Sequence, residues 1–231
     1  GALEKAAAGL NEDGWLSAAR AIMTTDTVVK GYSLQCELDG ETITLTGIAK
    51  GSGMIKPDMA TMLAYVACDA HVTYEAAQHL VSDAAMQSFN RITVDGDTST
   101  NDCFMFAATG CADHQVINGR EHPNYFVLLR ALIELSRLLA QAIVRDGEGA
   151  TKFVTICVRG GRSSDDCLSV AYTIAESPLV KTALFAGDAN WGRFCMAIGR
   201  APVPGLNPDK VQLFLDDVQV AEGGLLASDH T

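Results

Sequence analysis

The chain has 231 residues, 48% of them hydrophobic and 19% charged, enough apolar material for one sizeable core or two tightly joined layers. A formal net charge of -11 leaves no excess of Lys and Arg for phosphates, and no basic run of five residues occurs, which argues against nucleic acid and anionic membranes as partners. The seven cysteines and five histidines are scattered without CxxC or finger-type spacing, so reduced thiols, a cytoplasmic location and no metal are expected.

The opening GALEKAAA has no basic segment followed by an apolar run, and so does not read as a signal peptide. Asp13 followed by Trp15, Leu16, Ala19 and Ile22 predicts an amphipathic helix capped by Asp13, which ends in the polar cluster of residues 24–27. Residues 32–38 and 42–48 flank Asp39-Gly40, a pair suited to the left-handed turn of a tight hairpin. A breaker-rich loop over 50–58 then leads into the short apolar run 62–68, read as a buried strand.

Residues 73–89 alternate at helical spacing, with Thr73 at the start. A second loop, 95–102, precedes the apolar stretch 103–108. The pattern over 123–144, with Pro123 near its start and a stripe of Leu128, Leu132, Leu135 and Leu139, predicts a core-facing helix. Its charges Arg130, Glu134 and Arg137 argue against a membrane span.

Further on, strands are predicted over 153–158, 182–185 and 211–215, with helices over 165–175 and 191–198. Strands and helices intermixed in this way argue for α/β or α+β layers. No linker rich in Pro, Gly or Ser divides the chain, so one structural unit is expected.

The segment that carries chemistry is Lys50-Gly-Ser-Gly-Met-Ile-Lys-Pro-Asp-Met-Ala-Thr61-Met-Leu, a glycine loop running into a strand. A cut between Ala60 and Thr61 would leave a threonine with a hydroxyl and a free α-amine. An α-amine with a pKa of roughly 8 is neutral often enough near pH 7 to act as base for the weakly nucleophilic hydroxyl. The cut itself needs the Thr61 hydroxyl to attack the Ala60 carbonyl, giving an ester that water hydrolyses, and a strained loop favours that approach. Bare, a glycine-rich loop before an apolar strand is most often only a loop.

GSGMIKPDMATML resembles the autocleavage segment of the ornithine acetyltransferases, also called glutamate N-acetyltransferases. AARAIMTTDT, FNRITVDGDTSTND, GEGATKF and SPLVKTALFAGDANWGR resemble the same family's other blocks, in order and over nearly the whole chain. The resemblance implies a layered α/β fold of the self-cleaving, N-terminal-nucleophile-like type that these enzymes share with certain aminopeptidases. It also implies autocatalytic cleavage at Ala60-Thr61, with residues 1–60 as the end of an α chain and 61–231 as most of a β chain. The implied reaction is a ping-pong transfer of acetyl from N-acetylornithine to Thr61 and then to glutamate, in arginine biosynthesis. No cofactor is implied, although acetyl-CoA is a possible second acetyl donor, and the implied assembly is a heterotetramer of α and β chains.

By resemblance Thr24, Lys50, Thr61 and Glu148 bind substrate. Lys50 suits an α-carboxylate, although a lone loop lysine is more often solvated. Thr24 in a polar cluster more often satisfies local backbone groups. Glu148 is either a partner for an ammonium group or an exposed carboxylate beside a helix end. The loop 95–102 lacks the terminal acidic residue of a calcium-binding hand, so it reads as a structured turn near the site. In 187–193, capping by Asp188 or Asn190 is the plainer reading.

The resemblance further implies that an upstream Thr-Gly oxyanion pair and substrate-binding Asn and Thr residues of the family's C-terminus lie outside this sequence, as in a fragment. Losing an oxyanion donor costs about 3 kcal/mol of transition-state stabilisation. Two alternatives stand beside this reading. One is a related hydrolase with water as acceptor; the other is a non-catalytic binding fragment, uncut and never acetylated.

Overall fold

In the computed structural model, which describes residues 1–56, 62–98 and 101–227, Asp39 and Gly40 close the expected hairpin. Both adopt positive φ, 54° and 87°, the pairing a two-residue turn needs to match strand twist. Strand β1 (Lys30–Leu38) pairs antiparallel with β2 (Glu41–Lys50), which pairs antiparallel with β3 (Leu63–Cys68). Strand β4 (Cys103–Ala108) adds to β3 in parallel, completing a four-stranded sheet in the order β1-β2-β3-β4.

The parallel step requires a crossover, supplied by a helix over Tyr74–Gln87. Thr73 caps it, its hydroxyl accepting from the Ala76 amide. Two short helices precede the sheet, α1 (Ala2–Ala8) and α2 (Trp15–Ala21), so the crossover helix is α3. Helix α4 (Tyr125–Arg145) packs against α3, β1 and β2. Its predicted leucine stripe, Leu128, Leu132, Leu135 and Leu139, is fully buried.

Alternate residues of the sheet meet that stripe, as a period of two demands: Ile43, Leu45 and Ala49 from β2, and Ala64, Val66 and Cys68 from β3. Gly47 stands in the same row. A Cβ there would lie 2.8 Å from Val66 Cγ2 and 3.1 Å from Leu139 Cδ1, so glycine lets α4 approach the sheet closely.

Two compact units form, Gly1–Ala150 and Thr151–Thr231. The division falls in the turn after α4, not at a Pro- or Ser-rich linker. In the second unit, helices α5 (Ser164–Ala175), α6 (Pro178–Ala186) and α7 (Trp191–Gly199) are followed by a three-stranded sheet of β5 (Gln212–Leu215), β6 (Val218–Glu222) and β7 (Leu225–Leu226). Val170, Ile174, Val180, Phe194, Ala197 and Ile198 form its core.

Several local readings are corrected. Residues 182–185, expected as a strand, lie inside α6: Ser177 caps it, Pro178 occupies its first turn, and Gly187 ends it at φ 70°. A four-residue apolar run cannot separate strand from helix, whereas Ser-Pro at the start can. Residues 153–158 are assigned no strand, although Ile156 and Val158 pack against the second core. Asp13 does not cap α2; it sits in a 3-10 turn, Glu12–Gly14, and Gly14 takes the cap position without a side-chain bond. Of the predicted apolar face of α2, Ala19 alone is buried, while Trp15 and Leu16 are exposed.

All seven thiols are free, and burial pushes that of Cys68 up to about 12. No helix among the described residues is long and apolar enough to cross a membrane. Nor does any group of three His, Cys, Asp or Glu among them suit a metal ion.

Candidate active site

The polar stretch after α2 turns around one buried carboxylate. Asp26 accepts at Oδ1 from the Gly51 amide (2.7 Å) and from Lys30 Nζ (2.6 Å), and at Oδ2 from the Thr24 amide (3.1 Å). Lys30 Nζ also donates to Asp146 Oδ2 at 2.6 Å. Asp146, just past α4, accepts in addition from the Thr27 amide at 3.0 Å and from the Thr27 hydroxyl. The Lys30, Asp26 and Asp146 side chains are 1%, 0% and 4% exposed, so this ionic group lies out of water.

Buried charges are tolerated only when paired and hydrogen-bonded, and each here is. Burial alone would raise both carboxyls. The Gly51 amide and Lys30 outweigh it at Asp26, and Lys30 and Thr27 outweigh it at Asp146, so both end below their ordinary value.

The cluster fixes the start of the glycine loop, and five further hydrogen bonds hold the rest. Ser52 Oγ and Thr25 Oγ1 are 2.7 Å apart, and the Ser52 carbonyl accepts from the Glu148 amide at 2.8 Å. Asp95 accepts from the Met54 and Ile55 amides at 2.5 and 3.0 Å. The Val94 amide donates to the Ile55 carbonyl at 2.7 Å. Gly53 admits Glu148 closely: a Cβ there would stand 2.7 Å from Glu148 Oε1. Segment 95–102 thus acts through Asp95 as the expected structured turn; residues 99–100 lie outside the described set.

Of the predicted substrate-binding residues, Thr24, Lys50 and Glu148 are brought around this one loop. Thr24 is exposed with its amide held by Asp26, Lys50 is half-buried at the end of β2, and Glu148 is exposed beyond α4. Among the described residues no hydrogen bond joins their side chains to one another. Ala60 and Thr61, the expected cut and nucleophile, lie outside the described residues. Chain order places them between the loop and Met62, which is buried immediately before β3.

Residue-type reasoning missed Asp26, Lys30, Asp146, Asp95 and Asp102. Asp102 precedes β4, whose first residue donates its amide to the Met62 carbonyl at 2.9 Å. Both Asp102 carboxyl oxygens are buried, and the Met62 amide, which falls short of a well-formed hydrogen bond, is the donor that acts on them among the described residues. Burial pushes this carboxyl up to about 6, against the weaker opposing pull of the Met62 amide and the Lys50 charge.

Segment 187–193 belongs to the second unit, and its expected caps are corrected. Asn190 holds the cap position of α7 but makes no side-chain cap bond. It donates instead to Asp188 at 3.0 Å, while Arg193 binds Thr182 Oγ1 at 2.7 Å.

Comparison with known proteins matches the model of the ArgJ family over residues 1–231. The chain is similar to the arginine biosynthesis bifunctional protein ArgJ of Pseudomonas fluorescens (strain Pf0-1), with 55% identity over 231 residues, 100% of this chain and 57% of that protein. It is similar to the protein of the same name from Psychrobacter arcticus, with 52% identity over 229 residues, 99% of this chain and 56% of that one. The crystal structure of arginine biosynthesis bifunctional protein argJ from Bacillus halodurans superposes with a TM-score of 0.69 at 37% identity. That match covers 73% of this chain and 78% of the other. The chain therefore spans about 57% of the length of the first of these curated relatives.

Proposed function

We propose that this chain, which belongs to the ArgJ family, carries the nucleophile-bearing part of an enzyme that moves acetyl from N-acetylornithine to glutamate. The observation that carries the reading is the glycine loop 51–56. It is pinned by Asp26, Asp95 and the Glu148 amide, and it leads by sequence to Ala60-Thr61 and then to a buried strand. Attack of Thr61 on Ala60 requires a hydroxyl held beside a carbonyl, an arrangement that raises its effective concentration.

Maturation proceeds by attack of Thr61 Oγ on the Ala60 carbonyl carbon. The Ala60–Thr61 C–N bond breaks, the hydroxyl proton ends on the nitrogen, and water then hydrolyses the ester. Thr61 is left with its hydroxyl and an α-amine. In turnover, Thr61 Oγ attacks the acetyl carbonyl of N-acetylornithine while the α-amine takes the hydroxyl proton and passes it to the departing ornithine amine. The α-amine of glutamate then attacks the acetyl ester, releasing N-acetylglutamate and the free threonine.

The acetyl group is carried on the protein itself, so the reading calls for no cofactor; acetyl-CoA would enter as an alternative acetyl donor to Thr61. Lys50 pairs with the α-carboxylate common to both amino acids, since it presents a compact positive charge at the end of β2, immediately before the loop. Glu148 attracts the side-chain ammonium of ornithine, and Thr24 hydrogen-bonds substrate. The α and β chains made by the cut pair into a heterotetramer, and the enzyme works in the cytoplasm.

Intact mass of the full-length protein before and after N-acetylornithine tests the reading. Two fragments split at Ala60-Thr61 are expected, with one acetyl group added to the one that begins with Thr61 and lost again to glutamate. Loss to water at the same rate without glutamate points to a hydrolase. One uncut, unmodified chain from a folded sample sinks the reading.

A further inference from the structure

We propose that Gly53 is a positioning residue that sets the donor specificity of the site: its bare Cα is the seat on which the Glu148 carboxylate rests to meet the side-chain ammonium of the acetylated donor. This rests on the reading of Glu148 as the group that attracts that ammonium.

Two glycines stand at the start of the loop, and they are there for different reasons. Gly51 adopts φ 143°, a conformation that a side chain would strain. Gly53 lies outside the left-handed region, so its backbone does not call for glycine. What it lacks is room for a side chain. A Cβ there would lie 2.7 Å from Glu148 Oε1, 2.8 Å from Cδ and 3.0 Å from Oε2. The whole carboxylate sits in the space that any other residue would fill.

The backbone on both sides of this contact is tied down. Before Gly53 the Ser52 carbonyl accepts from the Glu148 amide at 2.8 Å, and after it the Met54 amide donates to Asp95 at 2.5 Å. Around Glu148 the Gly147 amide donates to the Val144 carbonyl at 3.2 Å, and the Ala150 amide to the Gly147 carbonyl at 2.9 Å. The Glu148 side chain, by contrast, is exposed, and among the described residues no hydrogen bond or ion pair holds its carboxylate. It is the end of a flexible chain, so filling the space at Gly53 moves the carboxylate to another rotamer and leaves the loop in place.

A carboxylate with no bond inside the chain and open to solvent is available to a ligand. N-acetylornithine carries a side-chain ammonium, where glutamate carries a carboxylate. A negative group at this point therefore favours the donor and disfavours the acceptor, which is specificity by attraction and repulsion together. The attraction falls with distance, so displacing the carboxylate weakens it without touching the reacting atoms.

The test uses the full-length protein and follows acetylation of Thr61 by intact mass with two donors, N-acetylornithine and N-acetylnorleucine, which has a methyl where ornithine has its ammonium. Wild type is expected to favour N-acetylornithine in kcat/KM, and Glu148→Gln to lose most of that preference. Gly53→Ala is expected to lower the preference by about tenfold or more. A wild type that is never acetylated overturns the proposed function and this proposal with it. A wild type without the preference, or a Glu148→Gln that keeps it, overturns the reading of Glu148 and likewise this proposal. A Gly53→Ala that keeps the preference while Glu148→Gln loses it overturns this proposal alone, as does an equal loss with both donors.

Should Gly53→Ala remain uncut, crystals of the uncut Thr61→Ala protein with and without Gly53→Ala decide the matter. A Glu148 carboxylate swung away from position 53 is expected; a carboxylate kept in place by a retreating loop overturns the proposal.

Discussion

Lys30 bears one positive charge and is bonded to two carboxylates, Asp26 and Asp146, at 2.6 Å each. The group therefore carries a net negative charge in a buried place, which backbone amides of Thr24, Thr27 and Gly51 help to absorb. Asp146 also sits at the C-terminal end of α4, where the helix dipole disfavours an anion, so Lys30 is what makes that position tenable. Removing Lys30 leaves two uncompensated buried carboxylates. Lys30→Met is expected to cost about 3–5 kcal/mol in urea unfolding at pH 7. Asp146→Asn, which keeps a one-to-one Lys30–Asp26 pair, should cost about 1–3 kcal/mol.

The pH dependence separates both variants from wild type. Both carboxyls titrate below their ordinary value in the folded chain, so their contribution is present above about pH 4 and is lost as pH falls through the folded pKa values. Wild type should lose stability steeply below pH 4, and Asp146→Asn less steeply. In Lys30→Met the lysine's share of the lowering is lost while the Gly51, Thr24 and Thr27 bonds remain, so the loss of stability below pH 4 should be shallower than in wild type. An acid loss as steep as that of wild type would refute this account of the cluster. Asp26 and Lys30 are four residues apart, but Lys30 and Asp146 are 116 apart. No spacing rule reads a pair of that separation, which is why the scaffold of the site was illegible while Thr24, Lys50 and Glu148 came from resemblance alone.

Among the elements, those with a long, repeated period were legible. The four leucines of α4 and the Asp39-Gly40 turn state their geometry locally, and Thr73 marks the start of α3 with a cap that forms. Residues 182–185 and 153–158 were misread because a short apolar run carries the same information for a strand, a helix or a packed coil. Asp13 was misread because a cap residue is only useful one step before the helix, and a 3-10 turn intervenes. Gly47 is the element-scale feature that no period announces. It stands in a row of buried β2 residues where a Cβ would meet both β3 and α4. In Gly47→Ala the added carbon would meet Val66, Leu139 and the Tyr65 carbonyl at 2.8, 3.1 and 3.2 Å. Backbone cannot swing aside as a flexible side chain can, so an overpacking cost of about 1–3 kcal/mol is expected in urea unfolding. The usual gain from replacing a strand glycine is roughly 0.5–1 kcal/mol, and a net stabilisation would show that α4 can retreat freely.

At the scale of the whole chain, the proposed cut falls inside one unit, and the two products share everything that holds that unit together. Strand β2 precedes the cut and β3 follows it, yet Leu45 pairs with Cys68 and Ala49 with Ala64 in one antiparallel ladder. Leu38, Ile43, Leu45 and Ile55 come from before the cut and are buried with Val66, Leu80, Leu128, Leu132 and Leu139 from after it. At about 2 kcal/mol for each large apolar side chain, those first four alone contribute on the order of 8 kcal/mol, before the ladder is counted. The ionic group spans the cut as well, with Asp26 and Lys30 on one product and Asp146 on the other. Cleavage thus removes one covalent bond and leaves the core undivided. The cut protein is expected to elute as one species from a sizing column in native buffer, to show two bands in denaturant, and to unfold its first unit in one transition that becomes concentration-dependent. Two separate native species would mean that β2 and β3 part once the loop is opened.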